Sequence, residues 1–122
     1  MVRVAEEIGL VLRRAGARWV FGHPGGETVD LLEGLRQAGL EFVLTHHETA
    51  ATIMAATVGD LTGIPGVVCT TLGPGATNAI TGVAHAFLDR SPVVLLTAQL
   101  PDSRVNITPH QQGCGTDRRF ER

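Results

Sequence analysis

Val67-Val68-Cys69-Thr70-Thr71-Leu72-Gly73-Pro74-Gly75-Ala76-Thr77-Asn78 is a strand, a turn and the start of a helix in twelve residues. The run Val67 to Thr70 is apolar without alternation, which is how a strand reads when helices cover both of its faces. Gly73-Pro74-Gly75 stops it. Beyond the stop, Ala76, Ile80, Val83, Ala84 and Phe87 recur at helical spacing, which predicts a helix presenting them inward.

The same unit recurs along the chain. Trp19-Val20-Phe21 runs into Gly22-His23-Pro24-Gly25-Gly26, then a helix from about Thr28 to Ala38 with Val29, Leu32 and Leu35 on one face, closed by Gly39. Phe42-Val43-Leu44 runs into His46-His47-Glu48 and a helix carrying Ala51, Met54, Ala55 and Val58 inward. Val93-Val94-Leu95-Leu96, introduced by Pro92, is a fourth strand. Ahead of them all, Val4, Ile8, Val11, Leu12 and Ala15 form a helix ended by Gly16. Strands opening at residues 19, 42, 67 and 93 are spaced by one strand, one helix and their turns. The pattern predicts a single α/β domain over residues 1–122, a three-layer α/β/α, doubly wound parallel sheet with right-handed crossovers. After Gln99 large apolar residues thin out, and Asp117-Arg118-Arg119-Phe120-Glu121-Arg122 resembles a helix beginning, so the domain is expected to be incomplete at its C-terminus.

Composition excludes several functions. Ten arginines against twelve acids leave a net charge of −2, without the basic excess of a nucleic-acid binder. No apolar run is long enough to span a bilayer, and the first residues lack the basic-then-apolar pattern of a secretory signal. Two cysteines, Cys69 and Cys114, make no disulfide framework, so a cytoplasmic location is expected. The chain has no lysine, which removes the Walker phosphate loop, Schiff-base catalysis and Ser-Lys pairs.

In a doubly wound sheet ligands bind beyond the carboxyl ends of the strands. On that rim fall His23-Pro24-Gly25-Gly26, His46-His47-Glu48, Gly73 to Asn78, and the region from Gln99 to Gln112. Glycine-rich turns let backbone approach a flat or anionic ligand. The dinucleotide fingerprint is broken, because Asn78 stands where its third glycine belongs. A His-Glu-x-x-His zinc site fails too, since Ala51 occupies the second histidine position, and His23, His85 and His110 are scattered. Glu48 is the one carboxylate on this rim with a helix start beneath it. Cys69 reads as a core residue, and Ser91 lies at a strand entrance on the opposite rim.

Phe21-Gly22-His23-Pro24-Gly25-Gly26, His47-Glu48-x-Ala50-Ala51, Thr71 to Asn78 and Asp89-Arg90-Ser91-Pro92 together resemble the N-terminal pyrimidine-binding domain of thiamine diphosphate enzymes, in the acetolactate synthase, pyruvate oxidase and benzaldehyde lyase group. The resemblance implies a flavodoxin-like fold and thiamine diphosphate as cofactor. It makes Glu48 a catalytic residue, bonded to N1′ of the aminopyrimidine ring. It places Pro24, Gly25 and Gly26 against that ring, Gly73 and Asn78 behind it, and Gln111 on the substrate side as a second catalytic residue. Two departures stand out: His110 and His23 occupy substrate-pocket positions where acetolactate synthases usually carry aromatic residues.

The family's diphosphate-binding domain, with a Gly-Asp-Gly that holds Mg2+, has no counterpart in the 122 residues; Gly59-Asp60-Leu61 lacks the last glycine and falls inside a predicted helix. The resemblance therefore implies decarboxylation or carboligation of a 2-oxo acid or aldehyde, in a homodimer or tetramer. The magnesium-holding domain would come from the same or another chain, and the isolated chain is expected to be inactive. The competing expectation is a non-catalytic flavodoxin-like module for assembly or regulation.

Overall fold

Residues 4–99 are described in a computed structural model of the chain. In order they form α1 (Val4–Arg14), β1 (Trp19–His23), a 3-10 turn (Gly26–Thr28), α2 (Val29–Gln37), β2 (Glu41–Leu44), α3 (Glu48–Thr62), β3 (Gly66–Thr70), α4 (Pro74–Asn78), α5 (Ile80–Asp89) and β4 (Val93–Thr97). All strand pairs are parallel and the sheet order is β2-β1-β3-β4. The doubly wound α/β class predicted from the strand spacing is the observed one.

Strand residues alternate between two cores. Val20, Val67 and Cys69, with Phe42 and Leu96, face α1 and α2 together with Leu35, Ala38 and Leu40. Phe21 and Val68, with Val43, Val93 and Leu95, face Ala51 and Ala55 of α3. Helices on both faces explain why the strands read as unbroken apolar runs.

The helices present the faces that apolar spacing predicts only in part: Ile8, Leu12, Leu32, Leu35, Ala51, Ala55 and Val58 pack on the cores, but other predicted inward residues do not. Val4 is 78% exposed and Phe87 80%, while Val11, Val29, Met54, Ile80 and Val83 are also exposed. Ala84 is exposed as well. The cause is packing through small residues. A side chain at Gly9 would lie 2.6 Å from Ala38 Cβ, and one at Gly34 the same distance from Ala5 Cβ, so α1 and α2 meet through glycine and alanine. Gly82 of α5 packs likewise on Thr52 of α3. Helix axes approach closely there, and the larger side chains turn outward. The predicted fourth helix is two, α4 and α5, parted at Ala79.

Cys69 is fully buried, and that burial pushes its thiol from 9.0 up to about 11. The unfolded chain ionises first, so this thiol's contribution is intact below pH 9 and is lost as pH rises toward 11. Lysine and tyrosine are both absent, so little else titrates in that window. Urea unfolding is expected to show a decline of up to about 3 kcal/mol between pH 8 and 11, and a nearly flat line for Cys69→Val.

Candidate functional site

The sheet order creates a switch point. From β1 the chain winds to β2 on one side, then crosses to β3 on the other, so the carboxyl ends of β1 and β3 flank a crevice. Such crevices are the ligand positions of open α/β sheets. Two of the predicted turns leave β1 and β3 there, and α3 starts from the neighbouring strand β2.

Glu48 is the first residue of α3 and only 6% exposed. His47 caps the helix in extended conformation, its Nδ1 accepting the Thr49 N–H at 3.2 Å. Asn78, the last residue of α4, donates its side-chain amide to Glu48 Oε2 at 3.1 Å. Thr49 closes the brace from the other side, donating its hydroxyl to the Asn78 carbonyl oxygen at 2.5 Å. Glu48 Oε1 has no hydrogen-bond partner among the described residues and faces Gly75, where a Cβ would lie 3.3 Å from it. The sequence-predicted Glu48 and Asn78 are thus brought together, with Asn78 oriented onto the carboxylate, and the glycine that meets Glu48 is Gly75 rather than the predicted Gly73. Removing the amide strands one oxygen of a nearly buried acid, so Asn78→Ala is expected to cost about 1–3 kcal/mol in urea unfolding.

Gly73 caps α4 with φ 62 and ψ −113, a backbone region that side chains resist, and Pro74 opens the helix where a missing N–H costs nothing. Gly25 N–H and C=O both bond the Thr28 hydroxyl, at 3.1 and 2.9 Å, which folds the β1 loop back on itself. Gly26 has open space beside it, while Gly25 is pressed against Thr71. His23 ends β1, its Nδ1 donating to the Thr45 carbonyl oxygen at 2.9 Å. Gln111 and His110 lie outside the described residues.

The sequence reading held Glu48 to be the one rim carboxylate standing on a helix start. Glu27 is a second rim carboxylate, in the 3-10 turn before α2, and accepts the Thr71 hydroxyl at 2.8 Å. The bond clasps the β1 and β3 loops across the crevice. Its position directly after Gly25-Gly26 was the available signal. Thr49 is a further support that sequence does not reveal, because a hydrogen bond over 29 residues leaves no local pattern; the His47 cap on Thr49 spans only two residues.

A doubly wound domain with a braced, nearly buried carboxylate beside glycine-lined loops at its switch point has the arrangement of an open α/β ligand-binding domain. Among the described residues no group of three or more His, Cys, Asp or Glu could hold a metal ion. The chain belongs to the family described as thiamine pyrophosphate enzyme, N-terminal TPP binding domain, which matches residues 2–118. It is 42% identical over 113 residues to the acetolactate synthase isozyme 3 large subunit of Escherichia coli (strain K12), a match covering 92% of this chain and 20% of the relative. Against the acetolactate synthase large subunit of Buchnera aphidicola subsp. Acyrthosiphon pisum (strain APS) it is 41% identical over 109 residues, 88% of this chain and 19% of the relative. The isozyme 2 large subunit of the same Escherichia coli strain is 45% identical over 96 residues, 79% of this chain and 18% of the relative. The chain thus spans about a fifth of the length of the curated relatives it matches.

Proposed function

We propose that this chain is the pyrimidine-binding part of an acetolactate synthase-like enzyme that decarboxylates or joins 2-oxo acids. The observation that carries the reading is the division of labour on Glu48: Oε2 is tied to Asn78, and Oε1 is left without a partner beside Gly75. A carboxylate so held fits the ring nitrogen of an aminopyrimidine, which needs one oriented oxygen and a surface without side chains. In this proposal Glu48 holds or gives up a proton at that nitrogen, Asn78 and Thr49 keep the carboxylate aimed, and Pro24, Gly25 and Gly26 lie against the ring. Bound thiamine diphosphate supplies an acidic thiazolium carbon and the electron sink for the carbon skeleton. His23, and by resemblance His110 and Gln111, border the substrate.

The diphosphate and its Mg2+ belong to a domain of the same or another chain. Without it the 122-residue chain is inactive. A partner has a surface to meet: the outer faces of the adjacent helices α3 and α5 expose Ile53, Met54, Leu61, Ile80, Phe87 and Leu88. Association of this kind, in a dimer or tetramer, suits a cytoplasmic enzyme; no helix among the described residues is long and apolar enough to cross a membrane.

The test is reconstitution. Thiamine diphosphate and Mg2+ are titrated calorimetrically into the chain mixed with the diphosphate-binding domain of an acetolactate synthase large subunit, and turnover of a 2-oxo acid is followed. Binding heat and turnover are expected only with both proteins present. Absence of cofactor binding by a demonstrably formed complex would favour the assembly or regulatory role instead.

A further inference from the structure

A cavity of about 380 Å³ opens at the other edge of the sheet, away from the carboxylate crevice, where the ends of α1 and α3 meet the starts of β1 and β3. Its size falls within the range of small-molecule pockets. Ala17 is buried, and Val58, Ile64 and Pro65 are half-buried, so the inner wall is apolar. Arg13, Arg18, Trp19 and Thr62 are exposed side chains at its mouth, with Trp19 38% accessible.

The charged side chains favour an anion. No carboxylate lines the cavity. Two helix C-termini end here and their partial negative charge works against an anion, although several of their carbonyl oxygens already accept donors. Gly16 N–H bonds Arg13 O and Ala17 N–H bonds Leu12 O, while Gly63 N–H bonds Gly59 O and the Thr62 hydroxyl bonds Val58 O. Arg13 spends one nitrogen on the Ala17 carbonyl oxygen at 3.3 Å, which holds its guanidinium at the rim. Arg18 has no ion-pair or hydrogen-bond partner from its side chain among the described residues. An unpaired guanidinium and an indole that line one cavity with an apolar wall can together take a carboxylate or phosphate in two-pronged fashion and a flat ring.

We propose that this cavity is a second ligand site, for a small organic anion with a planar apolar body. Arg18 and Arg13 grip the charged group, and Trp19 with the Ala17, Val58 and Ile64 wall takes the ring. The site is independent of Glu48 and of the cofactor, so its fate and that of the catalytic reading are separable.

Trp19 is the only tryptophan of the chain, so the 15N-labelled 122-residue protein gives a single indole N–H resonance. Titration with 2-naphthoate is expected to move that resonance saturably. The neutral isostere 2-naphthylmethanol is expected to bind at least about tenfold more weakly, the scale of one charge-assisted hydrogen bond. Arg18→Gln, at an exposed and unpaired position, is expected to weaken naphthoate by about tenfold. Arg36→Gln, whose parent pairs with Glu33 on the surface of α2, is expected to leave it unchanged. The proposal is overturned by any of three results: no saturable indole shift, equal affinity for the anion and the alcohol, or wild-type affinity in Arg18→Gln.

Discussion

Glu48→Gln is expected to slow exchange of the cofactor's thiazolium C2 proton by about 10²- to 10⁴-fold in a complex reconstituted with a diphosphate-binding domain. The substitution changes almost nothing else. A glutamine carbonyl oxygen can still accept the Asn78 amide that now bonds Oε2 at 3.1 Å, so the brace between α3 and α4 survives. What the amide cannot do is hold a shared proton at the position of Oε1. Burial matters to the size of the effect, because at 6% exposure little solvent is present to substitute for the lost acid. Exchange would be read by proton NMR after quenching in deuterated buffer, with the melting temperature measured in parallel. If Glu48→Gln binds cofactor, melts like the parent and exchanges the proton at the parental rate, then Glu48 is not the proton partner.

Gly22→Ala is the second large effect, and it acts on the fold. A Cβ at residue 22 would lie 1.9 Å from the carbonyl oxygen of Cys69, a backbone atom of the adjacent strand β3. No rotamer change relieves a clash between a β-carbon and a ladder carbonyl. The β1–β3 pairing must therefore part at the register position Gly22↔Cys69, beside the switch-point crevice. Overpacking of this kind usually costs 1–3 kcal/mol when side chains can yield; with backbone on the other side, a loss of more than about 3 kcal/mol is expected. In a domain of this size that lowers the melting temperature by more than about 12 °C, a large part of a typical stability of 5–15 kcal/mol. Gly26→Ala is the control, since open space surrounds residue 26, and its shift should stay within about 0.5 kcal/mol. A Gly22→Ala protein that melts within a degree or two of the parent would mean that β1 and β3 do not pair in this register.

The carboxylate and its glycine turns were legible because each is a local signal. Glu48 follows a strand and opens a helix, and Gly73-Pro74-Gly75 breaks one apolar run and starts the next. Of the supports, Asn78 was legible as a site residue but not as the partner of Glu48, and Thr49 and Glu27 were not legible as supports. Thr49, Asn78 and Glu48 act together only after α3 and α4 meet, and Glu27 reaches Thr71 across 44 positions of sequence. Spacing of apolar residues places Leu35, Ala51 and Ala55 inward as observed, but it misplaces part of each helix face. It counts large side chains, whereas α1 packs on α2 through Gly9 and Gly34, and α5 on α3 through Gly82, leaving Phe87 and Val4 in solvent.

By itself the sequence determined that four short apolar strands alternate with helices, and therefore that the sheet is parallel and its loops gather along one rim. Backbone hydrogen bonding and the burial of apolar surface leave that composition few other solutions. Only the tertiary structure decided which residues touch: that Asn78 turns its amide onto one oxygen of Glu48, and that Arg18 and Trp19 flank a cavity at the opposite edge. Those juxtapositions depend on how closely two helices or two strands approach. That distance is set by the smallest side chains between them, whose pairing no one-dimensional pattern records.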